Sequence, residues 1–372
     1  MIIGVPKEIK NHEYRIGLTP AGVKELSVNG HEVIVENNGG AAIGFDNEQY
    51  IEAGAKIISE AAEIFATADM IIKVKEPQPV ECKMLRPGQI LFTYLHLAPD
   101  PQQTELLVAS GATCIAYETV TSSTGGLPLL APMSEVAGRM SIQAGAHALE
   151  KAQGGLGALL GGVPGVAPAE VLIVGGGVVG TQAARMAIGM GADVTVLDRS
   201  LPRLRQLDTE FDGRLKTVYS TADAMDQLIV KADLVIGAVL IPGATAPKLV
   251  TKKHIKMMKK GAVIVDVAID QGGCFETSKP TTHQDPTYIV DDVVHYCVAN
   301  MPGGVARTST IALTNATLPF AVTIANKGAK QALLDDAHLL AGLNVASGNI
   351  TNKPVADVLG YNYVDPSIAL SA

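Results

Sequence analysis

One glycine-rich corner constrains this chain more than any other stretch: Val171-Leu-Ile-Val-Gly175-Gly-Gly177-Val178-Val179-Gly180. The apolar run before it predicts a buried strand, and residues 178–190 after it have the periodicity of a helix. Between them the G-x-G-x-x-G spacing answers three steric demands. The first glycine permits a tight turn, the second lets a pyrophosphate approach the backbone, and the third lets the helix press on the strand. Free amides at the helix start then face the phosphate charge. A second strand, 193–197, runs into Asp198, 18 residues past Gly180, where a carboxylate can accept hydrogen bonds from both hydroxyls of a ribose. The unit reads as a dinucleotide-binding βαβ. Asp198 repels a 2′-phosphate, which favours NAD over NADP, with Arg199 placed to offset part of that repulsion.

The rhythm of strand and helix extends over most of the chain. Apolar runs at 171–174, 193–197, 215–218, 234–237 and 263–267 are expected strands, and their unbroken apolar character suits a sheet covered on both faces. Runs at 2–5, 32–35, 70–74, 90–94 and 113–117 alternate with amphipathic stretches, one opened by Thr19-Pro20 and closed by Gly30. Strands alternating with helices imply parallel sheets. The expected fold is therefore α/β: two Rossmann-like, doubly wound parallel-sheet domains joined by long helices at 132–152 and 312–334. The remaining tail is too short for a third domain and is expected to pack back on the first. That makes residues 1–130 with 307–372 a discontinuous substrate domain, and 131–306 the NAD-binding domain.

Composition removes several other classes. At 47% hydrophobic and 18% charged, the 372 residues are not a disordered chain. A net charge of −8 repels nucleic acid, and Lys252, Lys253, Lys256, Lys259 and Lys260 read as the wet face of a short helix. The four cysteines, Cys82, Cys114, Cys274 and Cys297, form no CxxC, which argues against a disulfide framework or zinc cluster and for a reducing cytoplasm. The start lacks a signal-peptide pattern. Between Lys151 and Arg185 the only charge is Glu170, yet glycines and prolines interrupt that stretch, so it reads as a loop feeding a strand and not as a membrane span.

In open α/β sheets the chemistry lies beyond the carboxyl ends of the strands. There the sequence puts Arg15, Lys75 and His96 in the first half, and Val239-Leu240, Asp266 and Asp270 in the second. Arg, Lys and His on three strand ends can hold a carboxylate, polarise a carbonyl and move a proton. Asp270, just before Gly272-Gly273, can project into a cleft, whereas Asp266 reads at least as well as a turn carboxylate. Each cation also has a structural alternative: a solvated loop Arg, a Lys paired with Glu76, a satisfied buried imidazole. No HxxH or HExxH pair exists and Glu118 stands alone, so no metal is expected.

At this point the chain resembles the alanine dehydrogenase family along essentially its whole length, in MIIGVPKEIKNHEYRIGLTP, IIKVKEP, YLHLA, APMSEVAGR, VLIVGGGVVG with LDRS, VDVAIDQGG and VANMPGGVARTST. The resemblance implies NAD-dependent, reversible oxidative deamination of L-alanine to pyruvate and ammonium by a homohexamer with a hinge between its domains. It implies that Arg15 holds the substrate carboxylate, with Lys75 near the carboxylate and carbonyl oxygen. His96 would be the proton donor and acceptor, and Asp270 would position water or ammonia. The implied NAD contacts are Ser134, Val178, Val179, Asp198, Arg203, Ser220, Val239, Leu240, Val267, Ala268, Ile269, Asp270, Val298, Ala299, Asn300 and Met301. Two positions depart from some members: Lys279 where an Arg contacts the cofactor, and Lys327 where a His joins Glu118 at a metal. Two other functions compete. One is the related NAD-binding subunit of a proton-translocating transhydrogenase; the other is a non-catalytic NAD-sensing module.

Overall fold

The computed structural model describes residues 1–239 and 246–371. Its strands, in chain order, are β1 (Ile2–Val5), β2 (Glu32–Glu36), β3 (Lys56–Ile58), β4 (Met70–Ile72), β5 (Ile90–Thr93) and β6 (Thr113–Ala116). Then come β7 (Glu170–Val174), β8 (Asp193–Asp198), β9 (Lys216–Tyr219), β10 (Leu234–Gly237) and β11 (Val263–Asp266). The last are β12 (Thr287–Val290), β13 (Val293–Tyr296), β14 (Leu343–Ala346) and β15 (Asn349–Ile350). They form two compact units: Met1–Met133 with Val305–Ala372, and Ser134–Gly304.

In the first unit an eight-stranded sheet runs β15-β14-β6-β5-β4-β1-β2-β3. The chain builds outward from β1 through β2 to β3, then restarts with β4 on the other side of β1. The switch point therefore lies between β1 and β4, where the loops that follow these strands diverge. The second unit repeats this plan in seven strands, β12-β13-β11-β10-β7-β8-β9, with its switch point between β7 and β10. Each sheet has its own apolar packing. Leu91, Cys114 and Val345 belong to one core, while Ile173, Val196, Ile236 and Val265 belong to another.

Neither sheet is wholly parallel, contrary to the expectation. β12 pairs antiparallel with β13, and β14 pairs antiparallel with both β6 and β15. Both hairpins turn on two residues with positive φ, Asp291 (49°) with Asp292 (63°), and Ser347 (49°) with Gly348 (79°), the twist that suits a tight two-residue connection. The expected strand 70–74 stops at Ile72, so Lys75 sits in a loop and does not end a strand. The helix expected at 132–152 spans Ala131–Ala148. The one expected at 312–334 is two helices, Ala306–Lys327 and Ala329–Asp335, because Gly328 at φ 78° breaks the run. Among the described residues no helix is long and apolar enough to cross a membrane.

Candidate active site

In the second unit the glycine corner is built as the spacing demands. Gly175 has φ 105°, a conformation that side chains rarely adopt. A Cβ on Gly180 would lie 1.8 Å from the Gly175 carbonyl oxygen, so only glycine lets the Val178–Gly189 helix meet β7 this closely. A Cβ on Gly177 would meet nothing within 4 Å, which leaves open space beside the helix N-terminus that Val178 and Val179 begin. Asp198, closing β8, braces the turn with one carboxylate oxygen accepting from the Gly176 amide (2.7 Å) and the other from the Ser200 amide (2.7 Å). Arg203 donates from Nε to the Gly176 carbonyl (2.6 Å) and from its guanidinium to the Thr181 hydroxyl (2.5 Å). A rigid turn, open space at the second glycine and a carboxylate at the strand end fit the pyrophosphate and ribose of a dinucleotide.

The other expected cofactor residues of this unit follow carboxyl ends of neighbouring strands. Ser220 follows β9 and its amide donates to the Asp198 carbonyl (2.9 Å). Val239 follows β10; Leu240 lies outside the described residues. Val267, Ala268, Ile269 and Asp270 follow β11, with Asp270 exposed in a short 3-10 turn. Val298, Ala299, Asn300 and Met301 come after β13, Asn300 in a left-handed conformation at φ 60°. Ser134 lies in the Ala131–Ala148 helix. Asp266 proves to be the turn carboxylate. Fully buried, it accepts from the amides of Ala268, Cys274 and Phe275 and from the Ser278 hydroxyl (2.5 Å), which fixes the loop that carries Asp270. Burial pushes its carboxyl up from the ordinary range, and those donors oppose the shift. Lys279 stacks its ammonium over the Tyr288 ring at 4.5 Å.

In the first unit, Arg15, Lys75 and His96 follow β1, β4 and β5, two of them flanking the switch point. Arg15 is only 2% exposed and is not a solvated loop residue. Glu13 holds its fork, with Nε at 2.7 Å and a terminal nitrogen at 2.6 Å, while the other terminal nitrogen is 3.2 Å from the Met133 sulfur. The Arg15 segment packs on the end of β4, because Gly17 brings its backbone against the Ile72 carbonyl, where a Cβ would come within 2.5 Å. Lys75 is half-buried with its ammonium 4.0 Å from Glu76. His96 is exposed rather than a buried imidazole, and its ring stacks parallel to Tyr94 at 5.8 Å. Its backbone is left-handed, φ 49°, and Glu118 holds it there by accepting from the His96 amide (2.6 Å) and the Leu95 amide (3.1 Å). Glu118 is thus a backbone clamp. Lys327, expected near it, pairs with Asp335 at 2.5 Å, and the described residues contain no group of three or more metal-type ligands.

Sequence reasoning passed over Glu8, Glu13, Lys73, Glu81 and Tyr94. Lys73 of the Ile-Ile-Lys-Val-Lys run is 0% exposed and pairs with Glu8 and Glu81, so of its two lysines only Lys75 reaches the accessible side. A lysine inside an apolar run was the available signal, since a buried ammonium requires a carboxylate partner.

A dinucleotide corner on one α/β unit and a set of cations and an imidazole on a second define the class: a dinucleotide-dependent oxidoreductase. The family models described as the N-terminal and C-terminal domains of alanine dehydrogenase/PNT match residues 4–137 and 141–353. The chain is 62% identical over 365 residues to the alanine dehydrogenase of Halomonas elongata, covering 98% of each. It superposes on a solved L-alanine dehydrogenase with a TM-score of 0.94 at 50% identity, covering 97% of this chain and 99% of that one. A solved transhydrogenase from Sinorhizobium meliloti gives 0.82 at 25% identity, covering 95% and 99%. The chain belongs to the alanine dehydrogenase/PNT family.

Proposed function

We propose that this protein catalyses the reversible, NAD-dependent oxidative deamination of L-alanine to pyruvate and ammonium. The observation that carries the reading is the grouping of Arg15, Lys75 and His96 beyond the carboxyl ends of adjoining strands in a chain so similar to alanine dehydrogenases. Bound NAD supplies the acceptor for the α-hydride. The Arg15 guanidinium, held on Glu13, attracts the substrate carboxylate, and Lys75 sits toward the same carboxylate and the carbonyl oxygen. Loss of hydride from the α-carbon leaves an imine, which water must attack. Asp270 orients that water, His96 takes its proton and returns it to the leaving nitrogen, and the reverse direction uses the same groups in opposite order. The set Ser134, Gly175, Gly177, Val178, Val179, Gly180, Asp198, Arg203, Ser220, Val239, Leu240, Val267 to Asp270 and Val298 to Met301 contacts the cofactor. We place the protein in the cytoplasm, supported by four buried free thiols, and assign it a homohexamer, to be checked by light scattering.

The test is NADH formation when L-alanine and NAD are added to the purified protein without a membrane fraction. Turnover is expected, with His96→Ala and Asp270→Asn each slower by roughly 10²–10⁴-fold while NADH still binds. Absence of turnover with L-alanine would reject the assignment; near-normal turnover in either variant would remove that residue from the mechanism.

A further inference from the structure

We infer that Glu8, braced by the buried Lys73, is the positioning residue for the substrate-binding cation Lys75. The inference rests on the substrate role proposed for Lys75.

Glu8 lies on the loop after β1, and the Lys75 loop follows β4, so the two loops border the same switch point. One Glu8 oxygen accepts from the Val74 amide (2.7 Å) and the Lys75 amide (3.3 Å). The other accepts from the Lys73 ammonium at 3.1 Å. Lys73 also donates to Glu81 (2.7 Å), whose second oxygen accepts from the Gln78 amide (2.8 Å). The segment that carries Lys75 is thereby pinned at residues 73, 74, 75 and 78 by two carboxylates, both no more than 5% exposed. The Thr93 hydroxyl adds a bond to the Lys75 carbonyl at 3.0 Å.

Burial works against the charges of Glu8 and Lys73. Desolvation pushes the Glu8 carboxyl up and Lys73 opposes it, while the two carboxylates keep the Lys73 ammonium charged despite its burial. A buried ionic triad adds little net stability over apolar side chains of the same volume. What an apolar replacement would not supply is an acceptor for the two amides at 74 and 75, and these set where the Lys75 side chain begins. Misplacing a substrate contact by about 1 Å costs up to roughly 10²-fold.

The experiment compares Glu8→Leu, Lys75→Met and the double variant, reading kcat and KM for pyruvate with ammonium and NADH, and NADH affinity by fluorescence. Glu8→Leu, which removes the acceptor for both amides, is expected to lower kcat/KM for pyruvate by roughly 10–100-fold, mainly through KM, with NADH affinity within about twofold of wild type. In the Lys75→Met background the same change should cost less than about threefold, because the side chain it positions is gone. A Glu8→Leu enzyme with wild-type kinetics would overturn the inference, as would an undiminished loss in the Lys75→Met background. If Glu8→Leu does not fold, Glu8→Leu/Lys73→Met, which removes the stranded ammonium, carries the same expectation. Failure of both to fold would overturn it too, by reducing the triad to a support of the fold. Wild-type pyruvate KM in Lys75→Met alone would instead remove Lys75 from the site, and this inference with it.

Discussion

Asp266 shows how much a single buried carboxylate can organise without touching substrate. It ends β11 and gathers the amides of Ala268, Cys274 and Phe275 and the Ser278 hydroxyl around one charge, so the loop bearing Asp270 leaves the sheet in one conformation. Burial raises its folded pKa above the ordinary 3.8. The folded state then holds its proton to higher pH than the unfolded state does. The stability this brings is fully present below pH 3.8 and is lost as pH rises through the raised value. An asparagine has no such proton, and its amide nitrogen would confront donors, at a cost of about 1–3 kcal/mol. Urea unfolding of wild type and Asp266→Asn across this range should therefore show a stability difference that shrinks as pH rises. A pH-independent difference would mean that Asp266 titrates normally. The clamps Glu118 on His96 and Glu13 on Arg15 follow the same logic, with a buried or half-buried carboxylate spent on geometry behind an exposed or charged partner.

At the scale of elements, the glycine corner makes two opposite predictions from neighbouring positions. Gly180→Ala drives a methyl into the Gly175 carbonyl at 1.8 Å, so the helix must lift from β7. That overpacking costs roughly 1–3 kcal/mol and weakens NADH binding together with stability. Gly177→Ala meets nothing within 4 Å, so its melting temperature should stay at wild type while NADH affinity alone falls, because the methyl occupies the space a pyrophosphate needs. Calorimetry and NADH titration separate the two; equal melting losses would refute the assignment of that space. This corner was legible in sequence because its spacing and its geometry are the same constraint. The hairpin strands β12, β14 and β15 were not, since each is short and lies at or near a sheet edge, and Asp291-Asp292 and Ser347-Gly348 are weaker turn signals than Asn-Gly. The β4 overrun has a related cause. Lys73-Val74-Lys75 continues the apolar alternation, but Glu8 takes the Val74 and Lys75 amides that a further strand pairing would use. Arg15, Lys75 and His96 could be read from strand-end placement. Glu13, two residues from Arg15, was a local partner the pattern could have offered, whereas Glu8 and Glu118 were not legible, because pairing across 66 or 22 residues depends on strand order, which local pattern does not encode.

At the scale of the whole molecule, the two units have separate apolar cores, and the binding chemistry is divided between them: the cofactor corner in Ser134–Gly304, the substrate cations in the other. A ligand that binds one unit in its folded form stabilises the cooperative structure it depends on by RT ln(1 + [L]/Kd), about 2.7 kcal/mol at one hundred times Kd. Where cores are distinct, opening occurs unit by unit. NADH at that concentration should therefore slow amide exchange about 100-fold at core positions such as Ile173, Val196, Ile236 and Val265, while Leu91, Cys114 and Val345 exchange as before. Pyruvate added to the NADH complex should then extend protection to the second group, since its carboxylate is proposed to engage Arg15 and Lys75. Exchange followed by mass spectrometry on peptides from β7 to β11 and from β4 to β6 tests this directly. Equal slowing in both groups with NADH alone would show that the chain opens as one cooperative body, and the independence inferred from its cores would be wrong.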